Sequence, residues 1–205
     1  MKVIAFNGSP HQNGTVYKGI VTVTEELEKE GIEVEIIHVG NQVIRGCIAC
    51  GKCHTLKLCV FTDDIVKPSF DKINSADGII LGSPVYYGGI AGAFKCFLDR
   101  LFFSRPNLRY KVAGTVVSLR RSGGIAAFHA LNNYLNLSQA IITPSMYWNV
   151  IHGNNAEEAV QDEEGLQIMR VLGRNMAWLL KTVDTGKKSI PLPETESRKW
   201  TNFIR

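Results

Sequence analysis

The sequence predicts an α/β fold, a doubly wound five-stranded parallel sheet with helices on both faces. Three observations predict it. Short β-branched apolar runs alternate with segments of helical periodicity along most of the chain. The run Gly78-Ile79-Ile80-Leu81-Gly82 is wholly apolar, as a central strand buried on both faces must be. The length, 205 residues, suits one domain with a substantial core and leaves no room for a second of ordinary size.

The elements follow in order. Lys2–Phe6 is a first strand, and Asn7 to Thr15 is a polar turn. A helix then places Val16, Ile20, Val23 and Leu27 on one face at spacings of four, three and four. Gly31 stands where a helix terminates in a left-handed residue, and Glu33–Val39 is the second strand. Thr62-Asp63-Asp64 offers N-caps for a helix over Ile65–Ser75. Asp77–Gly82 is the third strand. It runs into the loop Ser83–Gly89 and a helix with Phe94, Phe97, Leu98 and Leu101 inward. Lys111–Leu119 is the fourth strand, followed by a loop over 120–124 and a helix over Ile125–Leu137. A fifth strand begins at Ala140–Thr143, and a last helix buries Leu166, Met169, Leu172, Met176 and Leu179. The simplest sheet order is 2-1-3-4-5. The domain spans 1–187 with a cysteine-rich insertion at about 46–60, and an irregular tail over 188–205 is placed to wrap a partner subunit.

Composition excludes several classes of function. An apolar fraction of 45% against 20% charged residues belongs to a globular chain and not to a disordered or fibrous one. No stretch approaches the roughly 18 uninterrupted apolar residues of a membrane span. The opening apolar run, Val3 to Phe6, is too short for a secretory leader, so the expected location is the cytoplasm. The net charge of +4 is spread among acidic residues without a basic run, which argues against a nucleic-acid partner.

In an open α/β sheet, ligands bind beyond the carboxyl ends of the strands, where the strand order reverses. Three polar, glycine-containing loops follow strands one, three and four and would gather there. The first, Gly8-Ser9-Pro10-His11-Gln12-Asn13-Gly14-Thr15, enters a helix N-terminus, where free N–H groups and the helix dipole favour an anion. Ser9, Asn13 and Thr15 add donors and His11 could add charge. The loop is neither a Walker A sequence nor Gly-x-Gly-x-x-Gly, and the same residue types also serve plain turn geometry. The second loop, Ser83–Gly89, sets two tyrosines and two glycines where backbone can approach a flat ring. The third, Ser118–Gly124, offers backbone contacts and a guanidinium, Arg120 or Arg121.

These motifs carry a family resemblance. Gly8-Ser9-Pro10 after the first strand, Ser83-Pro84-Val85-Tyr86 after the third, and Phe94-Lys95-x-Phe97-x-Asp99-Arg100 in the next helix resemble the NADPH-dependent FMN reductase family, which is flavodoxin-like. With the cysteine segment, the chain is most similar to that family's iron–sulfur flavoprotein branch. The resemblance runs from Met1 to about Gly124. It implies FMN as cofactor, with Ser9, His11, Asn13, Gly14 and Thr15 at its phosphate. It also implies Pro84, Val85, Tyr86, Tyr87 and Gly88 along the isoalloxazine ring; from the third loop, Ser118, Arg120 and Gly123 are the candidate contacts. Two departures stand out: His11 replaces a common Arg, and Gly14-Thr15-Val16 replaces Gly-Asn-Thr. Relatives pair as dimers or tetramers, so a homo-oligomer is expected.

Four of five cysteines fall within thirteen residues, as Cys47-x2-Cys50-x2-Cys53-x5-Cys59. Crowding of this kind reads as metal or redox chemistry before it reads as a disulfide framework. Four thiolates can complete a [4Fe–4S] site, although the ferredoxin pattern has a shorter last gap and a following proline. Zinc sites generally draw two knuckles from separated segments. Small fillers or redox-active thiols without metal are the third reading. All three stay open at this level, with the resemblance favouring the cluster. Cys96 reads as a buried filler, and His54 as an exposed residue that is not a ligand.

The expected activity is an FMN-dependent oxidoreductase. It would pass electrons from NAD(P)H or a reduced carrier to a redox partner or small-molecule acceptor. No catalytic side chain is required, since a flavin carries the chemistry itself. Two other classes compete. One is a flavodoxin-like electron carrier without NAD(P)H turnover, which an acidic chain lacking the cysteines would suit better. The other is a cysteine-based redox sensor.

Overall fold

The computed structural model describes residues 1–201, 203 and 204; Asn202 and Arg205, at the end of the tail, lie outside the described residues. Seven strands and seven helices follow one another as β1 (Lys2–Asn7), α1 (Thr15–Lys29), β2 (Glu33–His38), α2 (Cys53–Leu56), α3 (Val66–Ser75), β3 (Gly78–Tyr86), β4 (Gly89–Ile90), α4 (Gly92–Phe103), β5 (Val112–Leu119), α5 (Gly124–Leu137), β6 (Ile141–Ile142), β7 (Val150–His152), α6 (Ala156–Ala159) and α7 (Glu163–Ser189). The sheet runs β2-β1-β3-β5-β6 with these neighbours parallel, and β7 pairs with β5 beyond β6. In strand positions this is 2-1-3-4-5.

The alternation of side chains along each strand divides the core into two layers. Val3 and Ala5 of β1 and Ile80 of β3 pack on α1 and α7, against Ile20, Leu27, Leu172 and Met176. Ile4 and Phe6, with Ile79 and Leu81, face α3, α4 and α5, against Ile73, Phe97, Leu101 and Leu131. The ring of Phe97 meets Phe6 of β1 (5.1 Å) and so ties α4 to the sheet, and it stacks on Phe94 of the same helix (5.9 Å). Such pairs contribute about 0.5–1.5 kcal/mol each beyond their buried area. The four predicted α1 residues and the four of α4 are all buried. Gly31 ends α1 at φ +74°, with Gly31 N–H bonded to Glu28 O and Ile32 N–H to Leu27 O, a Schellman closure.

Four expectations are corrected. The third strand does not stop at Gly82 but continues to Tyr86, because Gly82, Ser83 and Pro84 stay in register with Val116, Val117 and Ser118 of β5. The second loop is therefore mostly strand. It closes in a two-residue hairpin, Val85 opposite Ile90 and Tyr86 opposite Gly89, with Tyr87 (φ +49°) and Gly88 (φ +75°) at its tip. The fifth strand is broken: β6 spans two residues, the chain loops out, and β7 resumes pairing with β5 at Val150. On α7, Leu166 and Leu179 are only half-buried while Ile168 and Leu180 are buried, and the helix runs to Ser189. Cys96 is half-buried, set against Gly46 at the start of the cysteine segment.

Candidate functional site

The carboxyl ends of β1, β3, β5 and β7 bring four loops around one cleft of about 650 Å³, within the range of small-cofactor sites. Of the residues singled out from sequence, Ser9, His11, Asn13, Gly14, Thr15, Pro84, Val85, Tyr86, Ser118 and Arg120 line it. Tyr87, Gly88 and Gly123 do not. Tyr87 projects fully into solvent from the hairpin tip. Gly123 braces the wall from behind, where a Cβ would sit 2.9 Å from Val85 Cγ1 and 3.0 Å from Gly88 Cα.

The first loop is held by its own side chains. Asn7 Nδ2 donates to Gln12 O (2.9 Å), Ser9 N–H to Asn7 Oδ1 (3.0 Å) and His11 N–H to Ser9 Oγ (3.1 Å). A ring nitrogen of His38 lies 2.7 Å from Ser9 O. These bonds leave the N–H groups of Gln12, Asn13 and Thr15 without a backbone partner among the described residues. Gly14 takes the N-cap position of α1, so no side chain caps that helix. Unpaired amides at a positive helix end form an anion cradle.

Thr15 behaves differently from expectation. Its hydroxyl lies 3.2 Å from Gly153 O and 3.0 Å from Asn155 O, so its one proton is committed to the loop after β7. What Thr15 offers a ligand is its N–H. That fourth loop, Gly153 to Glu157, also lines the cleft and was not anticipated from the sequence, while Gln12 and Leu119 line it from within the first and third loops. The signal was present: Val150-Ile151-His152 followed by Gly153-Asn154-Asn155 repeats the strand-then-turn grammar of the first loop. The loop is stiffened at α6, where Glu158 N–H donates to Asn155 Oδ1 (2.8 Å) and Asn154 N–H to Glu158 Oε2 (2.9 Å). The Asn154 backbone bond, then its side-chain bond and the charge of Arg120, hold the Glu158 carboxyl below its ordinary pKa.

A second cavity, about 350 Å³, shares no residue with the cleft. Cys47, Cys50, Cys53 and Cys59 all line it, with Asp99, Arg100 and Phe103 of α4. Cys47 and Cys50 are exposed, Cys53 and Cys59 half-buried, and no cysteine is in a disulfide. The sulfurs share the cavity without crowding one point: among the described residues no three Cys, His, Asp or Glu side chains are placed to hold a single metal ion. Cys47 Sγ accepts from Ala49 N–H (3.4 Å) and Cys59 Sγ from Arg100 Nε–H (3.3 Å). His54 is exposed on α2, as expected.

Residues 1–155 match the NADPH-dependent FMN reductase family. The chain belongs to that family. It is 33% identical over 195 residues to an iron–sulfur flavoprotein of Methanocaldococcus jannaschii, covering 89% of this chain and 99% of the relative. Its fold is similar to that of RosB with a bound 8-demethyl-8-formylriboflavin-5'-phosphate intermediate (TM-score 0.70, 17% identity, 100% of this chain and 94% of that one). It is also similar to a flavodoxin from the domain Archaea (TM-score 0.60, 16% identity, 88% and 99%). Those two likenesses show the flavodoxin-like fold. As a member of the FMN reductase family the chain is an oxidoreductase of the flavoprotein type. No helix among the described residues is long and apolar enough to cross a membrane.

Proposed function

We propose that the cleft holds FMN and that the protein passes electrons from NAD(P)H or another reduced carrier to an acceptor. The observation that carries this reading is the convergence of the uncapped α1 N-terminus and its unpaired amides with Pro84–Tyr86 and Arg120 around one cavity. In it the phosphate takes the amides of Gln12, Asn13 and Thr15, with Ser9, His11, Asn13 and Gly14 around them. The ring lies along Pro84, Val85 and Tyr86, with Tyr87 and Gly88 at its exposed rim. Ser118 and Arg120 face it from the third loop, and Gly123 supports that wall. Bound FMN supplies hydride acceptance and electron release. The chain binds it, orients it and keeps its buried edge from water.

The same reading gives the four cysteines a [4Fe–4S] cluster. Four cysteines lining one 350 Å³ cavity supply the four thiolates that a cubane takes. The two backbone and side-chain N–H donors to Cys47 and Cys59 suit cluster thiolates as well. We place the protein in the cytoplasm, where five unpaired thiols stay reduced. A homodimer or tetramer is supported by Met146, Tyr147 and Trp148, exposed together on the excursion between β6 and β7.

An anaerobic absorbance spectrum, with iron and zinc assayed on the same sample, tests both cofactors, and oxidation of NADH and NADPH with a flavin or quinone acceptor tests the activity. Flavin bands, about four irons per chain and steady turnover are expected. Failure to bind added FMN would refute the cleft assignment. FMN binding without NAD(P)H oxidation would make the protein an electron carrier. Light scattering showing a monomer would refute the assembly.

A further inference from the structure

We infer that Arg100 is a positioning residue that sets the reduction potential of the cysteine-bound cluster through its Nε–H bond to Cys59 Sγ; this rests on the cluster reading above. Arg100 is a fully buried side chain of α4, and every edge of its guanidinium is engaged by the cysteine segment. Nε–H points to Cys59 Sγ (3.3 Å), Nη2 donates to Phe61 O (3.0 Å), and Nη1 reaches Arg45 O (3.4 Å). Nη1 and Nη2 both pair with the Asp64 carboxylate, whose Oδ1 also accepts Val66 N–H at the start of α3 (3.1 Å). The Phe61 ring lies under both Arg100 (5.4 Å) and Arg45 (4.5 Å).

Two consequences follow from this geometry. The segment is tied to α4 on both sides of its cysteines, at Arg45 before them and at Phe61 and Asp64 after them. Cys59 is also the one cysteine of the four with a side-chain donor among the described residues. An N–H donor to a ligand thiolate favours the more negative, reduced state, and the effect is larger where water is excluded. The donor cannot switch off, because a guanidinium does not lose its proton in a protein. Burial works against the Arg100 charge, but its bonds to Asp64 and Cys59 outweigh burial. Asp64, paired with both terminal nitrogens, opposes the positive charge and leaves the directed N–H to act on Cys59. Asp99, the carboxylate that lines the cavity itself, is engaged by Lys95 and Tyr134.

This division of labour predicts opposite shifts for two variants. Arg100→Lys keeps the charge beside Asp64 but removes the Nε donor, so the cluster midpoint becomes more negative. Asp64→Asn keeps the donor and unmasks the cation, so the midpoint becomes more positive. The flavin midpoint should shift less than that of the cluster in both, since no residue lines both cavities. The test is a potentiometric titration of the full chain, loaded anaerobically with FMN, iron and sulfide, followed by visible absorbance and electron paramagnetic resonance. Iron per chain is measured on each sample.

Opposite cluster shifts at wild-type iron content support the inference. Coincident cluster midpoints, shifts of the same sign, or equal shifts of cluster and flavin overturn it alone. If one variant fails to hold iron, the sign of the other decides. Loss of iron from both would make the pair a structural latch and overturn the tuning role. A wild-type protein that binds no iron overturns the cluster reading and this inference together.

Discussion

Gly123 joins the second and third loops, and replacing it measures how tightly the wall of the cleft is built. Its backbone sits at φ +89° and ψ 0°, a conformation that costs an L-residue about 1–2 kcal/mol. Gly88, across the contact, sits at φ +75°, yet a Cβ there would meet nothing within 4 Å. Gly88→Ala therefore carries the conformational cost alone. Gly123→Ala carries the same cost plus the intrusion of a methyl 2.9 Å from Val85 Cγ1 and 3.0 Å from Gly88 Cα, overpacking worth a further 1–3 kcal/mol or about that. The restricted unfolded chain offsets both by about 0.4–1 kcal/mol and cancels from the comparison. For a chain of this size each kcal/mol shifts Tm by about 2–4 °C. Gly123→Ala should then melt about 2–12 °C below Gly88→Ala in a calorimetric scan of the flavin-free protein. Because the intrusion pushes on Val85, FMN affinity should also fall about tenfold, the equivalent of about 1.4 kcal/mol, in Gly123→Ala and little in Gly88→Ala. Equal melting of the two variants would refute the packing argument, and equal FMN affinity would refute the role of that wall in binding.

Three further predictions concern the cleft and the back of the sheet. Thr15→Val keeps the shape of the side chain but removes the donor to Gly153 O and Asn155 O; a loss of about 0.5–1.5 kcal/mol in urea unfolding is expected, and Thr15→Ser should recover most of it. Arg120→Ala removes a cation from the cleft, so FMN affinity by fluorescence quenching should drop at least about tenfold, a charged hydrogen bond being worth about 1.5–3 kcal/mol, and should become less sensitive to salt. Glu26 is buried under bonds from Lys29 and from Arg174 of α7, which hold its carboxyl below the ordinary value of 4.5. Ionised Glu26 therefore favours the fold at neutral pH, and that contribution fades as pH falls below 4.5 through the folded-state value. Across that window wild-type Tm should fall more steeply than that of Glu26→Gln, which starts lower at neutral pH; parallel curves would contradict the assignment.

Much of this molecule was legible because its sequence obeys local rules. The apolar spacing of α1 and α4 named eight residues that are all buried, since a helix that must cover a sheet shows a 3.6-residue stripe regardless of its partners. The all-apolar centre of β3 named a strand buried on both faces. The first loop could be placed because Gly8 to Thr15 joins a strand to a helix, and the physics of a helix N-terminus is local. Harder to see were the extension of β3 to Tyr86 and the return of the chain to β5 at Val150. Both depend on hydrogen bonds to β5, whose residues lie about thirty positions away in sequence. With β7 unread, Gly153 to Glu157 went unread too.

The sequence by itself determined the class of fold and the faces that α1 and α4 bury. Those follow from periodicity, which is written into every segment separately. It also determined the chemistry available: amides and hydroxyls at one helix end, thiols in one insertion. Tertiary structure alone decided how these groups are spent. It committed the Thr15 hydroxyl to the loop after β7, turned Gly123 into a brace behind Val85, and buried the Arg100 guanidinium against Cys59 and Asp64. The reason is that a donor's partner is fixed by distance in space. Residues 15 and 153, or 100 and 59, become neighbours only when the sheet and its two layers of helices close around them.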